Sequence, residues 1–167
     1  MTRKPIQDIG TMNALFPAAE LEAKRMGARK PGTEHLVVAA IELPEGSARR
    51  AFQRAGIDPG EFRVGIVRLR DDSVRASGDA SNEEQGEGTP EPKPSLMPTR
   101  TSPSAETVFK AVVDLVRKEK SSLYGAYMVM VAADDSYGTT ARVLRSMGVD
   151  PAVLVAACRA EIDAAGG

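Results

Sequence analysis

Glu34 is the residue of this chain whose type and setting best suit the binding of a charged ligand. It lies in the stretch Gly-Thr-Glu-His-Leu at residues 32–36, directly after Pro31. Pro31 and Gly32 indicate a turn and Thr33 is predicted to be an N-cap, so a helix begins here and its positive end favours a carboxylate. From the local pattern, Glu34 is therefore interpreted as a helix-start residue that interacts with the helix dipole.

No set of residues predicts catalysis or metal binding. His35 is the single histidine and Cys158 the single cysteine, so a Cys/His metal site is excluded. We interpret His35 as a residue packed or hydrogen-bonded at a helix start, and Asp134 and Asp135 as part of a solvated turn. The chain has no Gly-x-x-x-x-Gly-Lys phosphate loop. We therefore predict a protein that is not an enzyme and needs no cofactor.

The candidate residues lie in two copies of one helical unit. Glu34 aligns with Tyr127 at an offset of 93, and Asp58 aligns with Asp150 at an offset of 92, so one deleted residue reconciles the copies. Such an internal repeat indicates an architecture built from two similar substructures. Each copy has the pattern helix, turn, helix, turn, helix, preceded by a further helix.

Apolar residues recur at steps of three and four in these segments, which is typical of amphipathic helices. The pairs Asp58-Pro59, Ser102-Pro103 and Asp150-Pro151 each provide an N-cap followed by proline at the first helical position. Hydrophobic residues make up 42% of the chain but aromatics only 4%, which favours close-packed helices. Pro17 interrupts the first helix, which either kinks there or begins its regular part near residues 13–16.

These patterns predict an all-α protein, an eight-helix orthogonal bundle made of two pseudo-twofold related four-helix repeats. We expect a single domain over residues 1–167, with repeat one at 11–70 and repeat two at 102–165. Residues 71–101 are predicted to be a long, flexible, acidic linker, because residues 71–100 hold seven acidic and three basic residues and few large apolar ones. Met128 and Met130 are assigned to packing.

The charge and hydropathy patterns argue against two classes of partner. The net charge is −1 and the basic residues are scattered, so no nucleic acid is expected as a partner. No apolar run reaches the length of a membrane helix, and residues 1–5 lead into no signal-peptide hydrophobic region. We expect a cytoplasmic protein that does not bind membranes.

Residues 32–36, together with Gly-Ile-Asp at 56–58, resemble the double repeat of the Clp amino-terminal domain, the substrate-receiving module of ClpC- and ClpA-type unfoldases. The resemblance covers nearly the whole chain outside residues 71–100. It implies a non-catalytic protein- or peptide-binding module of the Clp proteolysis pathway without the AAA+ motor. Such a module acts as an adaptor or decoy for clients or ligands of a ClpC-type unfoldase. The implied partners are protein or peptide clients, the unfoldase or its adaptors, and cyclic-peptide antibiotics.

The resemblance also implies a site for phosphoarginine. In relatives that receive arginine-phosphorylated substrates, the Glu of each Gly-Thr-Glu-His motif holds the guanidinium group, and a hydroxyl residue near the start of the preceding helix helps to hold the phosphate. In the first copy this implies Glu34 with Thr33, but Ile9 replaces the hydroxyl residue. In the second copy Ser102 supplies the hydroxyl, but Tyr127 replaces Glu. Each copy therefore retains half of the site.

Ile9 and Pro17 both alter the leading segment of the first unit, the face on which the family binds cyclic peptides. We hypothesise that this face has been remodelled toward a different or looser ligand. Two alternatives stay open: an N-terminal substrate-recognition fragment of a larger ClpC-type ATPase, and a helical regulatory domain with an unrelated small ligand.

Overall fold

The computed structural model describes residues 5–77 and 102–166, which form eight α-helices and no strand. The predicted all-α fold is confirmed. In chain order the helices are α1 (Pro5–Arg25), α2 (Thr33–Ile41), α3 (Ser47–Arg54), α4 (Pro59–Ser77), α5 (Pro103–Lys118), α6 (Gly125–Asp134), α7 (Thr139–Ser146) and α8 (Pro151–Gly166).

Helices α2 and α6 occupy the centre of the molecule and pack against each other. Both are apolar on nearly every face, and a helix of that kind has to be buried all round. In α2 every residue from His35 to Ile41 is buried, and in α6 the same holds for the run from Gly125 to Met130. Met128 and Met130 therefore belong to the core, as predicted.

The two repeats are interlocked, since α3 packs on α8 and α4 packs on α7. A Cβ atom on Gly65 of α4 would lie 2.8 Å from Val143 Cγ1 of α7, so the two helices approach too closely there for a larger residue. Phe16 of α1 and Phe109 of α5 also meet edge to face, with ring centroids 5.0 Å apart. The repeats thus share one hydrophobic core.

The three predicted helix starts are confirmed by hydrogen bonds. Asp58 Oδ2 accepts from the N–H of Glu61 at 3.0 Å, and Asp150 Oδ1 accepts from the N–H of Ala152 at 2.9 Å. Ser102 Oγ accepts from the N–H of Ala105 at 3.2 Å. Side-chain oxygens thus satisfy backbone donors that have no partner inside the helix.

Helix α1 continues through Pro17, so of the two alternatives left open for this segment, the one with a non-helical stretch upstream of residues 13–16 is wrong. Pro17 itself is exposed, while Leu15, Phe16 and Ala19 on either side of it are buried. A proline inside a helix costs about 3 kcal/mol through a lost hydrogen bond and a steric clash. Burial of the flanking apolar residues offsets that cost.

Helix α4 ends at Ser77, so the linker predicted for 71–101 is wrong over residues 71–77. The acidic composition of this stretch does not prevent helix formation, because Arg75 and Asp72 form an i, i+3 ion pair at 3.7 Å along the helix surface. The remainder of the predicted linker, 78–101, lies outside the described residues. None of the helices found in residues 5–77 and 102–166 is long and apolar enough to span a membrane.

Candidate functional site

The start of α2 is organised by Gly32 rather than by Thr33. Gly32 is the N-cap residue, and its carbonyl accepts from the N–H groups of His35 and Leu36 at 3.1 Å each. Thr33 is the first helical residue and is buried, and its side chain makes no capping hydrogen bond. The prediction of Thr33 as N-cap is therefore wrong, because the preceding glycine takes the extended conformation that the cap position requires.

His35 closes the turn from inside the helix. Its Nδ1 atom accepts a hydrogen bond from the N–H of Gly32 at 2.9 Å, which requires the neutral ring with Nδ1 unprotonated. Burial lowers the pKa of His35 below its ordinary value, and the charge of Arg70 acts in the same direction. His35 therefore has the structural role predicted for it.

The Glu34 carboxylate lies back over Gly32 and is partly open to solvent. Oε1 is 2.8 Å from the position of a Cβ atom on Gly32, and the side chain is 19% exposed. Within the described residues no side chain or backbone group donates a hydrogen bond to this carboxylate, and the N–H groups of Thr33 and Glu34 have no acceptor. The carboxylate oxygens of Glu34, which accept no hydrogen bond from the described residues, thus lie beside two N–H groups that donate none.

Ser102 adjoins this site from the other repeat. Its N–H donates to the carbonyl of Pro31 at 3.1 Å, so the start of α5 is tied to the turn that leads into α2. Its hydroxyl lies 3.3 Å from the hydroxyl of Ser104. The sequence analysis assigned Ser102 and Glu34 to separate half-sites, one in each copy. The structure brings their segments together across the two repeats.

Tyr127, the counterpart of Glu34 in the second copy, is completely buried. Its hydroxyl donates to Glu119 Oε1 at 2.7 Å, and Glu119 also accepts two hydrogen bonds from Arg159 at 2.8 and 2.9 Å. Burial raises the pKa of Tyr127 to about 12. Tyr127 thus links α6 to the end of α5, Glu119 in turn pairs with Arg159 of α8, and the tyrosine offers no group to a ligand at the surface. Ile9 lies within α1, and its side chain lies outside the described part of the structure.

The start of α6 is capped from the first repeat by Glu45 and Ser47. Glu45 Oε2 accepts from the N–H of Gly125 at 2.7 Å and from Ser47 Oγ at 2.9 Å, and Oε1 accepts from the N–H of Ser47 at 3.1 Å. Ser47 Oγ in turn accepts from the N–H of Ala126 at 3.0 Å. One carboxylate therefore caps α3 and α6 together. Sequence reasoning did not predict that these two residues cap α6, because the contacts join residues that are 80 and 79 positions apart in the chain.

The first copy has no such cap at α2. Tyr137 aligns with Glu45 at the offset of 92, and it is 91% exposed. Thr140, near the start of α7, is buried, and its hydroxyl has no hydrogen-bond partner within the described residues. The duplicated unit thus has one helix start occupied by the protein's own carboxylate and one without it.

The described residues contain no group of three or more His, Cys, Asp or Glu side chains that could hold a metal ion. Cys158 is buried in the core, and burial raises the pKa of its thiol to about 12. At neutral pH it is protonated and therefore a poor nucleophile.

Two interlocked four-helix repeats with a charged site at converging helix starts are the features of a helical protein-interaction module. The chain belongs to the family of the Clp repeat (R) N-terminal domain, which matches residues 11–133. The family predicted from the sequence is thereby confirmed. Its domains are generally non-catalytic protein-interaction modules of Clp chaperones.

The fold is also found in solved structures, of which 26 chains match. One is the crystal structure of the N-terminal domain of the caseinolytic protease associated chaperone ClpD from Arabidopsis thaliana. It is 22% identical in sequence, the match covers 92% of each chain, and the TM-score is 0.59. At this identity the likeness concerns the fold alone. No curated protein matches the chain.

Proposed function

We propose that this protein binds clients or peptide ligands of the Clp proteolysis pathway through a single site at the start of α2, and that phosphoarginine is the group it holds. The observation that carries the proposal is the pairing of the open Glu34 carboxylate with unused N–H donors of the same helix turn. The protein acts as an adaptor or a decoy, changing the free concentration of its ligands by mass action.

Glu34 recognises the cationic guanidinium half of phosphoarginine. A planar guanidinium group donates two parallel hydrogen bonds to a carboxylate, and such charge-assisted pairs are among the stronger polar contacts. The carboxylate has both oxygens over Gly32, and the neutral His35 beside it adds no competing positive charge. An arginine-derived group is therefore the ligand that suits it.

The phosphoryl half of phosphoarginine is recognised by donor groups at the helix starts. The N–H groups of Thr33 and Glu34 lie at the positive end of α2, where anions are favoured. The Ser102 oxygen accepts a bond from Ala105, and the hydroxyls of Ser102 and Ser104 are hydrogen-bonded to each other at 3.3 Å, so one of their two O–H groups remains as a donor. Across the two repeats these groups supply the donors that a phosphoryl group requires.

The second copy does not provide a second site under this proposal. Tyr127 is buried against Glu119, and the N–H groups of Gly125 and Ala126 are already used by Glu45 and Ser47. A ligand there has neither a carboxylate for its cation nor donors for its anion. We therefore expect one phosphoarginine per chain.

Calorimetric titration with free phosphoarginine tests the proposal. We expect saturable binding with one molecule per chain, and a Glu34→Gln variant that binds at least roughly tenfold more weakly, as loss of a charged hydrogen-bond partner implies. Glu61→Gln is the matched control, because Glu61 is an exposed first-turn acid of α4. A flat titration of the natural protein, or equal binding by Glu34→Gln, contradicts the proposal.

A degradation assay separates adaptor from decoy. A ClpC-type unfoldase with its protease is given an arginine-phosphorylated client, and this protein is added at increasing concentration. An adaptor accelerates loss of the client, whereas a decoy slows it in proportion to the fraction of client bound. Glu34→Gln should remove either effect.

Cyclic-peptide antibiotics form the second ligand class implied by the family resemblance. If the face of α1 around Pro17 has been remodelled, a cyclic peptide should shift the backbone resonances of α1 more than those of α8. Shifts confined to residues outside α1 contradict this part of the proposal.

A further inference from the structure

A cluster of positive charge lies beside the proposed site. Residues 24–30, which we call the basic loop, contain Lys24, Arg25, Arg29 and Lys30 and no acidic residue. All four side chains belong to exposed residues. The segment joins the end of α1 to the turn before α2.

The backbone of the basic loop is held in a defined shape. Gly27 has a left-handed backbone with φ of +78°, the N–H of Gly27 donates to Lys24 O at 3.0 Å, and the N–H of Ala28 donates to Ala23 O at 2.7 Å. These two bonds form the helix-ending motif that a glycine at this position permits. Arg70 of α4 also donates to the carbonyls of Met26 and Gly27 at 2.7 and 2.6 Å. The charges therefore sit on a fixed support.

Most of this charge is not neutralised by the protein. Arg25 pairs with Glu22 at 3.2 Å, and Glu22 is shared with Arg63 at 3.1 Å. Lys24, Arg29 and Lys30 have no ion-pair partner in the part of the chain that the structure describes. Arg70 bonds only to carbonyl oxygens, so its charge also remains. The loop therefore carries a net positive potential.

The potential extends to the mouth of the site at Glu34. Arg29 and Lys30 directly precede Pro31, whose carbonyl accepts from Ser102, so the loop leads straight into the converging starts of α2 and α5. In addition to burial, the charge of Arg70 lowers the pKa of His35, one residue beyond Glu34. Residues that flank a ligand held at Glu34 would therefore lie beside the segment that carries these cations.

The second copy offers a matched contrast. The end of α5 also carries exposed cations, Arg117, Lys118 and Lys120. The helix that follows, α6, has its start filled by Glu45 and Ser47. Exposed positive charge is therefore also present in the second copy, but there it precedes a helix, α6, whose first N–H groups are already occupied.

We propose that the basic loop binds acidic segments of client proteins, and that the protein prefers marked arginines flanked by Asp and Glu. The preference for acidic residues beside a marked arginine rests on the proposed function at Glu34. The attraction of an acidic peptide to the basic loop does not depend on that function. A protein segment is favoured over nucleic acid because the cluster is small and the whole chain has a net charge of −1.

The test uses a short labelled peptide of alternating glutamate and serine, without arginine or phosphate, measured by fluorescence anisotropy. Its affinity should fall as ionic strength rises from about 0.01 M to about 0.15 M, because exposed charges are screened. The triple variant Lys24→Gln, Arg29→Gln, Lys30→Gln should bind roughly tenfold more weakly, from the loss of three exposed charge interactions. The control Arg117→Gln, Lys118→Gln, Lys120→Gln makes the same charge change in the second copy and should bind as the natural protein does.

Three results overturn the inference: no salt-dependent binding of the peptide, equal weakening by the two triple variants, or tighter binding of a single-stranded oligonucleotide of the same length at the loop. Glu34→Gln distinguishes this inference from the proposed function. It should abolish phosphoarginine binding and leave binding of the acidic peptide intact.

Discussion

The two central helices begin in opposite ways. At α6, the carboxylate of Glu45 and the hydroxyl of Ser47 reach across from the first repeat and occupy the N–H groups of Gly125 and Ala126. At α2, the N–H groups of Thr33 and Glu34 have no acceptor among the described residues, and the Glu34 carboxylate stands beside them partly exposed. One start is a joint between the repeats, and the other leaves a carboxylate and two N–H donors without a hydrogen-bond partner in the described structure.

This difference shows how a duplicated unit divides its roles. A buried, fully bonded helix start adds stability, because every polar group that leaves water finds a partner. An open start leaves that stabilisation unused until a ligand supplies it. The two copies differ at the positions that matter here, since Tyr127 aligns with Glu34 and Tyr137 aligns with Glu45.

The largest expected effect comes from restoring the acid in the second copy. Tyr127→Glu places a carboxylate in the core next to Glu119, with a cavity around it, and should lower the free energy of unfolding by about 4 kcal/mol. Urea unfolding followed by circular dichroism measures this. Val153→Glu is the control, because an acid introduced at an exposed apolar residue of α8 should alter stability by less than about 0.5 kcal/mol. If Tyr127→Glu remained stable and gained a second phosphoarginine site, the contrast between the two copies would be wrong.

The glycines at the two helix starts should respond differently to the same change. A Cβ atom on Gly125 lies 2.9 Å from Glu45 Oε2 and 3.0 Å from the backbone oxygen of Ala40, so Gly125→Ala should cost about 3 kcal/mol in unfolding experiments. On Gly32 the nearest atoms all belong to the flexible Glu34 carboxylate. Gly32→Ala should cost under about 1 kcal/mol and weaken phosphoarginine binding, because Glu34 is displaced. Equal destabilisation by both variants contradicts the comparison.

Removal of the two carboxylates sharpens the same contrast. Glu45→Ala leaves the N–H of Gly125 and the Ser47 groups without their acceptor and should lower stability by about 2 kcal/mol. Glu34→Ala removes no hydrogen bond within the described structure and should change stability by less than about 0.5 kcal/mol. Thermal unfolding of both variants at one pH checks the difference, and a larger loss for Glu34→Ala speaks against it.

The smallest effect is a pH dependence in the second copy. The pKa of Tyr127 is about 12 when folded, against about 10 for an unperturbed tyrosine. A raised folded pKa means that its contribution is complete below pH of about 10 and is lost as the pH rises toward about 12. Tyr127→Phe removes the bond to Glu119, costs about 1 kcal/mol at neutral pH, and should flatten this alkaline loss. If the stability of both proteins fell equally at alkaline pH, groups other than Tyr127 would be responsible for the loss.

Much of the fold follows from local patterns. The three Pro-containing helix starts were correct because an N-cap and proline act within one turn and need no distant partner. At Pro17 the local pattern left two alternatives open, and a helix that passes through the proline is found because buried Leu15, Phe16 and Ala19 pack α1 against the rest of the core. Tertiary packing therefore decided what local propensity left open.

By itself, the sequence determined the helical class, the duplicated unit and the family, because periodicity, caps and motif spacing are local properties. Only the tertiary structure revealed that Ser102 adjoins the turn before Glu34, that Glu45 fills the start of α6, and that Tyr127 turns into the core. Each of these contacts joins residues far apart in the chain. Which of the two helix starts remained open was therefore settled by the interlocked packing of the repeats.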